Sequence, residues 1–277
     1  MLRIEDLDTP RNKEGAERQA IEDLLWLGID WDEGPYVQSH DLGAQRQAMR
    51  RLARAGLAFP SDLTRSQIEA VASAPQEGAA SHEIRFPPEL RPPLGPRDFD
   101  DERTNWRFAC PSGPVGFADE FAGEQRHEPG AVVGDFVIWT QRGCPSYQLA
   151  VVVDDHRQGI THIVRGNDLL ESAARQILLA RALGFEPLPS YCHLPLVRGE
   201  DGRRLAKRHG DTRIARYRDA GVPFEHVVGL IAFWCGIVDR RARMTPAEFR
   251  ECFELGMMPK DDITFCAEDD AWLLSRS

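Results

Sequence analysis

No apolar run in this chain reaches the roughly 18 residues needed to cross a bilayer, so a membrane-spanning helix is not expected. The opening residues, MLRIEDLD, have neither the basic start nor the apolar middle of a secretory leader, and the chain reads as a cytoplasmic protein. The six cysteines, Cys110, Cys144, Cys192, Cys235, Cys252 and Cys266, form no CxxC or other metal-ligand spacing. In a chain of 277 residues they read as reduced, partly buried small apolar residues and not as a disulfide framework. Internal repeats and low-complexity segments are also missing. Positive charge is in deficit. With 34 Lys and Arg against 44 Asp and Glu the net charge is −10, which argues against indiscriminate nucleic-acid binding.

What is present is ordinary for a globular enzyme: 42% apolar and 28% charged residues, in a length that suits one large domain or two small ones. The charge is unevenly spread. From Arg198 to Asp219 there are eight Lys or Arg against four acids, and Arg240, Arg241 and Arg243 follow. Such a run forms either a solvated face or a phosphate-binding surface.

Leu2–Ile4 reads as a short strand. A helix is expected from Lys13, with Ile21, Leu24 and Leu25 on one face and Gly28 as its stop, and a second over Leu42–Ala55, stopped by Gly56. From Phe59 to Gly130 prolines and scattered aromatics replace sustained periodicity, which predicts an insertion of short helices and irregular strands. Val132-Val133, Phe136–Ile138, Leu149–Val153 and Thr161–Val164 read as strands. A helix over Leu169–Leu183, capped by Asp168, follows. Further helices are expected from Pro223 to Ile237 and from Thr245-Pro246.

Polar residues gather where these elements meet loops. Glu5, Asp6 and Asp8 could hold a substrate ammonium group, although acids after a strand also make turns. Tyr147-Gln148 could orient a small polar ligand, or Tyr147 could stand at a strand edge in water. Arg165, before Gly166, could clamp a carboxylate or pair with Asp168 or Glu171. In the stretch Arg204–Thr212, Lys207 could follow a triphosphate as its charge redistributes, or lie on a basic surface loop.

Taken together, LRIEDLDTPR, GIDWDEGP, the run GDFVIW through YQLAVVVDD to GITHIVRGNDLL, and RRLAKRHGDT resemble the glutamate-specific class I aminoacyl-tRNA synthetases, in order and over nearly the whole chain. The resemblance is greatest to the short glutamyl-Q branch, which lacks the helical anticodon-binding domain and transfers glutamate to queuosine of tRNA(Asp). It implies an α/β fold: a class I synthetase Rossmann-like nucleotide-binding fold with an inserted α+β subdomain and a helical C-terminal region. The implied divisions are 1–58 and 131–197 for the two halves of the Rossmann-like domain, 59–130 for the inserted acceptor-binding-like subdomain, and 198–277 for the lysine loop and helical end.

The resemblance also implies roles. Glu5, Tyr147 and Arg165 would contact glutamate, and Lys207 with Arg204 would bind ATP, Lys207 as the catalytic lysine of the KMSKS-like loop. The partners would be tRNA, L-glutamate and ATP with Mg2+, for a monomer that contacts tRNA through Arg213, Arg216 and Arg218. A fragment of a full-length glutamyl-tRNA synthetase and a non-catalytic tRNA- or protein-binding relative are the alternatives.

Three departures stand out. The HIGH-type motif and the first strand of the family's nucleotide fold would lie upstream of Leu2, where only Met1 stands, and no HxGH occurs elsewhere. The sequence is therefore read as truncated before that motif, which is expected to leave a sheet edge and apolar surface exposed. Arg204 and Ala206 replace the usual Lys and Ser of the lysine loop. The family's Cys-rich zinc site would align with Ser61, Leu63, Phe86 and Leu90, so no zinc is expected and packing by Leu63, Phe86 and Leu90 takes its place.

Overall fold

The computed structural model describes residues 1–7, 13–71, 84–203, 205 and 212–275. The chain divides into two compact units, one of Met1–Ile4, Asp8–Tyr36 and Leu194–Ser277, the other of Glu5–Leu7 and Val37–His193. No helix among the described residues is long and apolar enough to cross a membrane.

Among the described residues, the unit built on Val37–His193 contains two four-stranded sheets. In one, Ala58–Pro60, Trp106–Phe108, Phe136–Thr140 and Cys144–Pro145 pair antiparallel in that order. In the other, the hairpin Val115–Asp119/Gly123–His127 joins Ser190–Leu194, which neighbours His162–Gly166. Val115–Asp119 runs parallel to Ser190–Leu194, with Asp119 opposite Tyr191. The segment 59–130 thus supplies strands to both sheets. His162–Gly166 is an outermost strand, and its Val164 is 63% exposed, a large apolar side chain left in water at a sheet edge.

Helices Gly43–Arg54, Tyr147–Arg157 and Leu170–Leu183 pack together over a core that includes Met49, Leu52, Ile138, Trp139, Leu149 and Leu183. The Gly43–Arg54 helix turns Ala48, Met49, Leu52 and Ala53 inward, as its periodicity predicts. Leu170–Leu183 ends at Gly184, whose φ of +65° lets its N–H close the last turn. A separate cluster of Phe59, Ile68, Phe86 and Ala109 has Leu63, Ile84 and Leu90 packed against it, so Leu63, Phe86 and Leu90 belong to one apolar group.

Three local expectations are corrected. The run LAVVVDD is not a strand: Tyr147–Arg157 is a helix in which every residue from Gln148 to Asp154 is buried. A continuous apolar run fits a buried strand or a helix covered on all sides, and here burial between other helices overrides the β-preference of three valines. Val132 closes the one-turn helix Pro129–Val132, begun by Pro129 at its first position. Asp168 is not at the N-cap position of the following helix. It sits in the 3-10 turn Asn167–Leu169, and Leu169 takes the N-cap position without a side-chain bond.

The other unit is mainly helical. Ala16–Trp26 contacts Ile214–Asp219, and Phe224–Trp234 contacts both Pro246–Cys252 and Ala267–Leu273. Tyr217, Val222, Val227, Leu230 and Leu273 form the core, with Trp26, Phe233, Trp234 and Trp272 packed against it. Thr245 and Glu248 form a capping box at the start of Pro246–Cys252. A parallel pair, Val197–Arg198 with Ile263–Thr264, completes this unit.

Candidate functional site

The strand His162–Gly166 carries Arg165 near its end, and the helix Tyr147–Arg157 carries Tyr147 at its start. Sequence separation is bridged here: Arg165 Nη1 donates to Tyr147 Oη at 3.4 Å, a long bond that leaves room for a better acceptor. Tyr147 is 42% exposed, so the pair faces solvent on one side. Arg165 Nη2 also reaches the Leu169 carbonyl at 3.4 Å.

The helix that presents Tyr147 is pinned along its length. Next to Tyr147, Gln148 donates to Ser172 Oγ at 3.2 Å and accepts from Gln176 Nε2 at 2.9 Å, joining it to Leu170–Leu183. Towards its other end the fully buried Asp154 accepts from Gln38 Nε2 at 2.6 Å and Gln45 Nε2 at 2.7 Å, and pairs with Arg157 Nε at 2.8 Å. A buried carboxylate holding two amides and a guanidinium has its lone pairs used, so it fixes the helix without an unpaired charge.

Behind Arg165 lies a cluster that the sequence did not reveal. Arg165 Nε donates to His193 Nε2 at 3.0 Å, and the other ring nitrogen, Nδ1, lies 2.6 Å from Asp119 Oδ2. Both the His193 and Asp119 side chains are wholly buried. The Arg165 guanidinium also lies over the Tyr191 ring, 5.6 Å from its centroid, and Tyr191 stacks on His193. Burial, partly offset by Arg165, pushes the Tyr191 hydroxyl up to about 12. Burial and then the charge of Arg165 lower the His193 pKa against the pull of Asp119. Burial acts to raise the Asp119 carboxyl, but bonds from the His193 ring and from the backbone N–H groups of Ala122, His193 and Phe121 bring it below the usual range. A His two residues from a buried Tyr on one strand was the only local signal. Its partner Asp119 is 74 positions away.

Glu5 is exposed, and the adjoining Asp6 fixes that segment by accepting from the Ser39 N–H at 2.9 Å and from its hydroxyl. Arg204 and Lys207 lie outside the described residues. Arg216 donates to both carboxylate oxygens of Asp270, at 2.6 and 3.2 Å. Arg218 bonds Asp23 at 2.6 Å and Glu22 at 3.3 Å, tying Ile214–Asp219 to Ala16–Trp26. Arg213 stands at the N-cap of Ile214–Asp219. Among the described residues no group of three His, Cys, Asp or Glu could hold a metal ion.

Chemically, a guanidinium at a strand end, beside a phenol and braced from behind by a buried imidazole, suits a small carboxylate. Residues 1–270 match the family described as tRNA synthetases class I (E and Q), catalytic domain. The chain is 44% identical to the glutamyl-Q tRNA(Asp) synthetase of Symbiobacterium thermophilum, over 99% of this chain and 87% of that protein. It is 32% identical to glutamate–tRNA ligase 2 of Syntrophus aciditrophicus, over 99% of this chain but 58% of that one. The crystal structure of the glutamate-tRNA synthetase from Elizabethkingia anophelis superposes with a TM-score of 0.75 at 24% identity. It covers 98% of this chain, which spans 62% of that structure.

Proposed function

The chain belongs to the catalytic-domain family of the class I tRNA synthetases for Glu and Gln, and from that premise we propose that it joins L-glutamate to tRNA at the cost of ATP, with queuosine of tRNA(Asp) as the acceptor. The observation that carries the reading is the Arg165–Tyr147 pair, a fixed guanidinium and a half-exposed phenol presented together. A carboxylate reaching Arg165 gains charge-assisted bonds that a neutral amide does not, which favours glutamate over glutamine. Glu5 is the proposed partner of the substrate ammonium.

In the first step a glutamate carboxylate oxygen attacks the α-phosphorus of ATP, supplied as its Mg2+ complex. The P–O bond to the β-phosphate breaks, and pyrophosphate leaves with that electron pair. Glutamyl-adenylate remains; an acceptor hydroxyl then attacks its carbonyl carbon and gives up its proton, the acyl–phosphate C–O bond breaks, and AMP leaves with that electron pair. The protein's contribution is to position the reactants and stabilise developing charge. Lys207 and Arg204 are proposed to follow the phosphates, and Arg213, Arg216 and Arg218 to face tRNA phosphates. At Arg216 and Arg218 a phosphate would compete with Asp270 and Asp23.

The high identity to a glutamyl-Q relative over 87% of its length supports tRNA(Asp) as acceptor. The test is glutamate-dependent ATP–pyrophosphate exchange, followed by charging of queuosine-containing tRNA(Asp) against tRNA(Glu). Exchange with glutamate and transfer to tRNA(Asp) are expected. Selective charging of tRNA(Glu) would replace the acceptor, and absence of exchange would favour the non-catalytic tRNA- or protein-binding alternative.

A further inference from the structure

His193 touches no solvent and stands behind the guanidinium, yet its geometry dictates how Arg165 can be used. An arginine Nε always carries its proton, so the His193 Nε2 that lies 3.0 Å from it must offer a lone pair. The ring proton is then on Nδ1, donated to Asp119 Oδ2. Asp119 is itself locked: its Oδ1 accepts from the backbone N–H groups of Phe121 at 3.1 Å, Ala122 at 2.8 Å and His193 at 3.1 Å. Those bonds fix the turn of the Val115–His127 hairpin to the strand Ser190–Leu194. The tautomer, the ring plane and the position of the acceptor are therefore all set before any ligand arrives.

We propose that His193, held by Asp119, is a positioning residue that fixes Arg165 Nε and thereby presents the Nη1/Nη2 edge of the guanidinium to the side-chain carboxylate of glutamate. This rests on the glutamate reading of the site. Arginine binds carboxylates through its Nε side or through its two terminal nitrogens; here Nε is taken at 3.0 Å, whereas Nη1 and Nη2 make only long contacts of 3.4 Å to Tyr147 Oη and the Leu169 carbonyl. The choice of a neutral ring has a consequence. A carboxylate placed directly on Nε would cancel the charge that the substrate needs, whereas imidazole accepts the bond and leaves the full positive charge. Asp119 stays one ring removed, where it orients without neutralising. The Tyr191 ring beneath the guanidinium restrains the remaining freedom.

Two amide substitutions separate positioning from support of the fold. An Asn amide occupies the place of Nδ1 and keeps a donor for Asp119 but cannot reach Arg165. A Gln amide reaches the place of Nε2 and can accept from Arg165. Calorimetric titration with L-glutamate on the unmodified chain, His193→Asn and His193→Gln is the experiment, with melting temperatures alongside. Affinity should fall about tenfold or more in His193→Asn and stay within about threefold in His193→Gln. A His193→Asn protein that binds glutamate like the parent overturns the assignment, as does equal weakening in both variants that tracks their melting temperatures. If the unmodified chain binds no glutamate, the functional reading itself fails and this inference with it. Unchanged parental binding with an indifferent Asn variant sinks the inference alone.

Discussion

His193 Nδ1 and Asp119 Oδ2 lie 2.6 Å apart, wholly buried, although 74 positions separate them in the chain. The pair should make this unit sensitive to acid. Facing the imidazole are Asp119, Arg165, the Leu169 backbone and the Tyr191 ring, and burial with the charge of Arg165 outweighs Asp119 and Leu169 to lower the His193 pKa. An unfolded chain takes up a proton near the ordinary value of 6.5 that the folded one refuses. Stability contributed by the neutral ring is therefore complete above that value and lost as pH falls from it through the folded pKa. Asp119, also lowered, adds a second loss as pH falls from the ordinary 3.8 through its own folded value. Melting temperatures between about pH 8 and about pH 5 should decline in the parent and decline less in His193→Gln.

Arg165→Ala removes the proposed carboxylate clamp and should raise the KM for glutamate about 10- to 100-fold, the range of a charge-assisted pair. Arg165→Lys retains charge without the planar fork and should recover only part of the loss. Pyrophosphate exchange at varied glutamate checks both. A KM unmoved in Arg165→Ala would exclude this side chain from the amino-acid site.

Arg218→Ala breaks half-buried bonds to Asp23 and Glu22. It should cost about 1 kcal/mol of stability, and a double-mutant cycle with Asp23→Asn should return most of that as coupling. If Arg218 also meets tRNA phosphate, the same variant flattens the salt dependence of tRNA binding. Thermal melting and binding at two salt concentrations read the two effects separately.

Gly229 lies inside the helix Phe224–Trp234, where a Cβ would stand 1.7 Å from the Ala242 carbonyl oxygen. Backbone cannot swing aside as a side chain can, so Gly229→Ala should cost about 3 kcal/mol. Gly159, at φ +66° with nothing near its missing Cβ, provides the contrast: Gly159→Ala should cost about 1 kcal/mol through backbone strain alone. Chemical denaturation of the two variants gives the comparison.

Burial, reinforced by neighbouring Asp135, raises the Cys110 thiol to about 12, whereas Cys252 is exposed. A thiol reagent at neutral pH should label Cys252 within minutes and leave Cys110 unmodified until the protein unfolds. Peptide mapping after brief alkylation distinguishes them.

Arg165 and Tyr147 were legible as candidates because a charged or phenolic group at the mouth of an apolar element is conspicuous in one dimension. The helices Gly43–Arg54 and Leu170–Leu183 were legible for a similar reason, since their apolar spacing repeats locally. Leu149–Val153 was misread because its surroundings, not its own preference, decide its state. The segment is covered on all sides, so the alternation that separates helix from strand is erased.

By itself, then, the sequence determined the family, the order of most elements and two members of the candidate site, all of which depend on residue type and short-range spacing. Only the tertiary structure decided that Asp119 and His193 meet behind Arg165, that Asp154 holds the helix bearing Tyr147, and that Arg216 and Arg218 bond to nearby acids. Those facts depend on which distant backbones pack together. A hydrogen bond acts over about 3 Å of space, and no local pattern along the chain encodes that distance.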